Sequence, residues 1–318
     1  MKKSMTVSPF EIVPLNGYIG AEIRGVQLSR DFDPSEMAAL KNALPRYEVL
    51  VFREQDIELE HQIAFARRFG HLSIHPFSPN LDDKPEVIIL DYSAENPATL
   101  TDQWHSDETF REDPPMATIL RSRVVPDAGG DTLFASMTAA YRGLSERMKQ
   151  YIHGLEAIHD FTPFRTRFTN SEKHRKKLRD LEDAFPNPTH PVVRVHPDTG
   201  RRILNVNPQF TVRIKDLKED ESRTLLQFLY EQARVPEYQL RVKWQPNTVV
   251  MWDNRAVQHY APHDYYPRRR TMERVTIAGE RPVGVSGTYS PEPDALVDTA
   301  TAHGGSGGQR LRRQLERE

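Results

Sequence analysis

Apolar residues along this chain come in short runs broken by glycine, proline and charge, the pattern of many short strands with helices set between them. Residues 18–28, with Gly20 and Gly25, read as a strand pair or hairpin. Asp33-Pro34-Ser35 is a helix start, and the helix should reach about Leu44. The unbroken run 48–53 (EVLVFR) predicts a buried strand. Residues 60–69 have helical spacing, with Gly70 placed to end the helix. A loop rich in proline and histidine follows over 71–79. Short strands are expected at 87–90 and, after Pro114-Pro115, at 116–121, and one helix over 137–152. Segments 192–196 and 203–206 flank Pro197-Asp198-Thr199-Gly200, a strong turn signal, and should form a hairpin. Residues 216–233 place Leu217, Leu225, Leu226, Phe228 and Leu229 among charges, an amphipathic helix. Residues 248–252 predict a core strand closed by Asp253-Asn254, and 270–277 the last strong strand. Beyond Gly284 the chain turns to Ser, Pro, Ala and Gly, which predicts one domain over 1–285 and a flexible tail over 286–318.

Composition leaves room for an enzyme. Of 318 residues, 37% are hydrophobic, enough for a sizeable core, and no apolar run approaches the roughly 20 residues that span a bilayer. No apolar stretch follows Met1-Lys2-Lys3 as an export signal requires. The absence of cysteine removes disulfides, thiolate ligands and cysteine nucleophiles. A soluble, cytoplasmic protein without a membrane partner is the expectation. The formal net charge of -2 does not imply a nucleic-acid partner. The basic run of Arg165, Arg167, Lys173, Arg175, Lys176, Lys177 and Arg179 reads as a solvated lid or insertion.

Candidate chemistry begins at Gln103-Trp104-His105-Ser106-Asp107-Glu108. In an extended segment residues two apart face the same way, so His105 and Asp107 can reach one ion while Ser106 points elsewhere. A distant His259 can complete a facial set of two histidines and one carboxylate, which suits Fe(II). Arg270, Met272 and Arg274 share one side of the last strand. Two inward guanidiniums need anions, either a bound carboxylate or sulfonate, or internal partners such as Glu273 and Asp264. His263 lies between prolines that argue against a helix, so its spacing from His259 does not make a helical metal pair.

Several segments, taken in order, resemble one family: Phe69-Gly70-His71-Leu72-Ser73-Ile74-His75-Pro76, Trp104 to Phe110, Gly129-Gly130-Asp131-Thr132-Leu133, His190 to Pro197, and Trp252 through Arg274. Together they are similar to the taurine dioxygenase group of Fe(II)- and 2-oxoglutarate-dependent dioxygenases, from about residue 14 to 282. The resemblance implies a mainly β fold with flanking helices around a double-stranded β-helix, the jelly-roll double sheet. It implies Fe(II) on His105, Asp107 and His259, with 2-oxoglutarate chelating the iron and its far carboxylate on Arg270 and Thr132. O2 would be the oxidant, with succinate and CO2 as products. The group includes taurine, alkylsulfonate and alkylsulfate oxygenases and phenoxyalkanoate dioxygenases. A small anionic organic substrate is therefore implied, an alkylsulfonate or alkyl sulfate ester first, a phenoxyalkanoate or amino-acid-type carboxylate as the alternative.

By the same resemblance Arg274 holds the substrate's anionic head, His75 stands on the substrate side, and Phe164 and Phe210 are aromatic walls. A loop histidine bonded to backbone, and core packing for the two phenylalanines, are the plainer readings. Taurine enzymes of this type carry a tyrosine and an asparagine where this chain has Ser78 and Thr101, which points to a larger or less polar substrate than taurine. Asp107, a carboxylate, leaves no ligand position for a halide, so hydroxylation is expected over halogenation. Relatives are dimers or tetramers, which makes a homo-oligomer the expectation. Two other classes stay open on the residues alone: a zinc hydrolase on the same triad, and a non-catalytic jelly-roll binding protein.

Overall fold

The computed structural model describes residues 10–78, 80–97, 102–161, 165 and 172–291, and the described residues up to Gly287 form one compact unit. Strand β3 (Val49–Phe52) shows how the fold is built, since all four of its residues are buried. Val49 and Val51 face one core while Leu50 and Phe52 face another. An apolar run without polar alternation is what a strand covered on both sides requires.

Strand β3 lies in an eight-stranded sheet with β1 (Glu11–Pro14), β2 (Ala21–Arg24), β4 (Leu72–Ser73), β5 (Val87–Tyr92), β6 (Ala117–Val124), β14 (Val249–Asp253) and β16 (Arg270–Ile277). At its centre β14 runs antiparallel to β3 and β6, and β16 antiparallel to β6 and β5. Helices α1 (Pro34–Tyr47) and α2 (Leu59–Arg67) cover one face through Leu40, Ala43, Leu44, Ile63, Phe65 and Ala66. Against the other face packs a three-stranded sheet of β7 (Thr132–Ser136), β13 (Gln239–Val242) and β15 (Val257–Tyr260), joined through Phe134, Leu240, Val242, Val250, Trp252, Val257 and Met272. Two facing sheets with helices outside are the jelly-roll that the family resemblance implied.

Local signals hold with some shifts. Asp33 caps α1 through Ser35 and Glu36 in a capping box, but the helix runs through Pro45 to a left-handed Glu48. The first hairpin pairs β1 with β2, so it begins earlier than 18–28. Gly70 is not a left-handed cap, because α2 ends at Arg67; a side chain there would crowd Ile277 at 3.2 Å. The expected helix over 137–152 is two helices, α3 (Met137–Gly143) and α4 (Glu146–Ile152), because Ser145 caps a new start on Met148. The hairpin around Gly200 pairs β10 (Val193–Val195) with β11 (Arg202–Leu204), and β12 (Thr211–Ile214), β8 (Glu156–His159) and β9 (Thr189–Pro191) form a further three-stranded sheet. Part of the basic run forms the helix Glu172–Ala184, with Arg175, Lys176 and Lys177 exposed and Leu178 and Leu181 packed on Phe110, Phe161 and Phe210. None of the helices described is long and apolar enough to cross a membrane.

Behind the sheet lies a buried ionic network. Asp253 receives two contacts of 2.8 and 2.7 Å from Arg255 and one of 2.9 Å from His196 Nε2. Glu48, fully buried, lies 3.6 Å from Arg201, and burial pushes its carboxyl up to about 7 from an ordinary 4.5. A carboxyl whose folded pKa is raised contributes stability below its unfolded pKa, and that contribution is lost as pH rises through the folded value. Glu48→Gln removes this titration. The variant should therefore gain stability relative to wild type by roughly 2–3 kcal/mol between about pH 5 and about pH 8. Urea midpoints at the two pH values measure it, and a difference that does not change with pH contradicts it.

Candidate active site

A backbone bridge brings the two candidate histidine ligands together. His105 N–H donates to the His259 carbonyl at 3.1 Å and His259 N–H to that of His105 at 2.8 Å, so His105 joins the edge of β15 as an isolated rung. Their ring centroids are 4.1 Å apart. The extended run expected through Asp107 is shorter than that, since a turn begins at Asp107 and Glu108 is left-handed with φ 52°. Ser106 does point elsewhere, its hydroxyl donating to Val257 O at 2.8 Å.

Ligand atoms of His105, Asp107 and His259 all lie within 4.8 Å of one another, and the three residues are buried. Asp107 Oδ1 is 4.0 Å from His105 Nε2 and 3.8 Å from His259 Nε2, while its Oδ2 accepts the Thr118 hydroxyl at 2.8 Å. His105 Nδ1 lies 2.8 Å from the Gln103 carbonyl, which assigns the proton to Nδ1 and leaves the Nε2 lone pair toward the triad. Burial lowers the pKa of both histidines, that of His259 to about 3 with the neighbouring His105 adding to it. Burial opposes ionisation of Asp107, but Arg274, His259, His105 and Thr118 together hold it well below the usual carboxylate range. Two neutral imidazoles and one carboxylate held as an anion fit a divalent cation.

The second half of the site is cationic. Arg270 and Arg274 point to one side of β16 with Met272 between them and line the same cavity of about 120 Å³ as the triad. Neither carboxylate considered as an internal partner pairs with Arg270. Glu273 faces the opposite side of the sheet, 3.3 Å from Arg121, and Asp264 accepts Gly130 N–H at 2.8 Å. Arg270 is 4% exposed; its Nε donates to Gly130 O at 3.0 Å, and Nη2 has no hydrogen-bond partner among the described residues. Gly130 makes this approach possible. Its φ is 72° and an added Cβ would stand 3.1 Å from the Arg270 side chain. Thr132 Oγ1 accepts the Trp244 indole N–H at 2.9 Å, so its own proton can be donated. A buried guanidinium edge beside a hydroxyl donor fits one carboxylate.

Arg274 Nη2 is 3.0 Å from Asp107 Oδ1 and 3.7 Å from Glu108 Oε1, and its Nε donates to Thr276. His75 combines both of its readings: it lines the cavity, and Nδ1 accepts the Phe77 N–H at 3.0 Å, which assigns the ring proton to Nε2. Ser78 and Phe210 line the cavity too, and Phe210 meets His105 edge-on at 6.3 Å. Phe164 and Thr101 lie outside the described residues.

Four neighbours of the site were not singled out from the sequence. Trp244 orients Thr132, Thr118 holds Asp107, and Asn254 bonds both backbone groups of Asp107. The fourth, Glu108, is a 2%-exposed carboxyl lining the cavity, which burial pushes up to about 7 against Arg111 and Arg274. Glu108 carried a signal, being an acidic residue directly after His105-Ser106-Asp107. The other three act through side-chain hydrogen bonds to residues eleven or more positions away in the chain, which leave no periodic trace.

Known proteins resemble the chain over most of its length. It is 39% identical over 287 residues to an alpha-ketoglutarate-dependent sulfate ester dioxygenase of Pseudomonas putida, covering 88% of this chain and 93% of that protein. An alkylsulfatase of Acinetobacter baylyi is 35% identical over 278 residues, with 86% of each chain covered. The crystal structure of a taurine dioxygenase from Burkholderia xenovorans superposes with a TM-score of 0.74 at 37% identity, over 86% of this chain and 93% of that one. Residues 11–276 match the model of the family described as taurine catabolism dioxygenase TauD, TfdA family, and the chain belongs to that family.

Proposed function

We propose that this chain is an Fe(II)- and 2-oxoglutarate-dependent dioxygenase that hydroxylates the carbon bearing a sulfate ester or sulfonate group of a small anionic substrate. One observation carries the reading: the convergent triad and the unpartnered Nη2 of Arg270, beside the Thr132 hydroxyl, share one cavity. A hydrolytic zinc site would use the triad and leave that second cradle without purpose. The substrate class is supported by the sulfate ester dioxygenase and alkylsulfatase among the relatives.

His105, Asp107 and His259 would hold the metal, and Arg270 with Thr132 the far carboxylate of 2-oxoglutarate. When bound, iron and 2-oxoglutarate supply the oxidation of a C–H bond to C–OH by O2, with succinate and CO2 as co-products. The protein's own part is to bind, orient and exclude water. Arg274, next to Asp107, would hold the anionic head close to the metal, with the Nε2 proton of His75 as a second donor. Phe210, Leu90 and Leu120 give the cavity apolar walls for the carbon chain. Once the carbon beside the ester oxygen carries a hydroxyl, loss of its proton forms C=O as the C–O bond to sulfate breaks. The products are an aldehyde and sulfate, or sulfite when the substrate is a sulfonate. Ser78, where taurine enzymes of this type carry a tyrosine, favours a longer or less polar substrate over taurine.

Purified protein given iron, 2-oxoglutarate and an alkyl sulfate series should release succinate and sulfate in equal amounts, and Asp107→Ala should abolish both. Full succinate turnover by that variant would refute the ligand assignment. The two arginines should separate in kinetics. Arg274→Ala is expected to raise KM for the sulfur substrate about 50- to 100-fold, the loss of a charge-assisted hydrogen bond worth about 2–3 kcal/mol, with KM for 2-oxoglutarate little changed. Arg270→Ala should do the reverse, and equal losses on both substrates in either variant contradict this division.

A further inference from the structure

Asn254 follows β14 directly and is 4% exposed. Its side-chain Oδ1 accepts the Asp107 N–H at 2.6 Å, and Nδ2 donates to the Asp107 carbonyl at 3.0 Å and to the Pro115 carbonyl at 3.1 Å. Its own N–H donates to the Met116 carbonyl at 2.9 Å. One residue therefore closes the excursion 107–116 at both ends. That closure falls where no strand can supply it. The rung between His105 and His259 ends the pairing with β15, Ser106 is tied to Val257 by its side chain, and the backbone turns left-handed at Glu108. Without Asn254 the N–H and the carbonyl of Asp107 would lose the side-chain partners that hold them, and the carboxylate would be aimed only by the contacts of its own oxygens with Thr118 and Arg274 among the described residues.

We propose that Asn254 is a positioning residue for metal binding: by holding both backbone groups of Asp107 it sets the carboxylate between the two imidazoles before any metal arrives. The inference rests on the reading of His105, Asp107 and His259 as ligands. The three atoms the amide engages, one N–H and two carbonyls, demand one acceptor and two donors. Asparagine alone among side chains of this size presents both. Aspartate has the same shape but no donor, and would turn an oxygen toward two carbonyl oxygens. Partners that orient a ligand from outside the metal's own shell are worth about 10- to 100-fold in metal affinity.

The test is Co(II) affinity of metal-free protein, measured calorimetrically without substrates, for wild type, Asn254→Asp, Asn254→Ala and the control Gln62→Ala. Gln62 is an equally buried amide with two bonds to backbone carbonyls, those of Ile119 and Glu273, and it touches none of the ligands. Both kinds of change should lower the thermal midpoint. Only the Asn254 variants should weaken Co(II), by about tenfold or more, with Gln62→Ala within about twofold of wild type. The alanine variant carries the comparison if the aspartate variant does not fold. Asn254 variants that fold and bind Co(II) like wild type overturn the proposal, as does an equal loss in Gln62→Ala, which would mark a general loosening. If wild-type protein binds no Co(II), the ligand assignment itself falls, and that result is distinct from the other two.

Discussion

Everything at this site depends on two backbone hydrogen bonds, the reciprocal pair between His105 and His259. Backbone bonds of this kind fix a residue's position without spending its side chain, so both imidazoles remain available for a third partner. They also decide which face the rings occupy, because a shift of one residue in the rung would send one ring to the opposite side. The bridge joins the edge of the small sheet, whose β7 carries Thr132, to the chain leading into the turn with Asp107. Across the sandwich, β16 supplies Arg270 and Arg274. Each functional group thus stands on a strand, or is tied directly to one, and the cavity lies between the two sheets where their apolar packing gives way.

Charge balance governs the polar lining of the cavity. Two inward guanidiniums in a sheet interior are costly unless countered. Arg274 is countered by Asp107 and Glu108, at 3.0 and 3.7 Å. Arg270 donates to the Gly130 carbonyl and forms no ion pair among the described residues, with the rings of Trp244 and Tyr265 each 5.8 Å from its guanidinium carbon. An aromatic setting of this kind favours a cation but does not neutralise it. The asymmetry separates the two arginines physically: one already shares its charge with the metal triad, and the other keeps a buried edge for an anion brought from outside.

Much of this was legible in the sequence because it depends on short-range alternation. The parity of Arg270, Met272 and Arg274 follows from the pleat, and Met272 does fall in the inter-sheet core while both arginines line the cavity. The run 48–53 announced a strand covered on both faces. Boundaries failed where a side chain overrode the local signal. Ser145 divides a helix whose apolar spacing looks continuous, and α1 continues through Pro45 to Tyr47, where Glu48 turns left-handed and its N–H bonds the Leu44 carbonyl. The strand Thr132–Ser136 gave little pattern of its own, since it is held by neighbours on both sides, β13 and β15, which are distant in sequence. The basic run looked like a solvated lid from its charges; Leu178 and Leu181 instead seat its helix on the phenylalanines that continue from the cavity wall.

That seating bears on substrate size. Phe210 belongs both to the cavity lining and to the cluster with Phe110 and Phe161, and Phe77 stacks on Phe161 at 5.2 Å, two residues beyond His75. Phe110 and Phe161 are buried in this cluster, so Phe210 is the ring among the three that lines the cavity, backed by the others and by the helix Glu172–Ala184. On the proposed reading, an alkyl chain anchored at Arg274 would gain about 25 cal/mol for each Å² of apolar surface it buries against Phe210, Leu90 and Leu120.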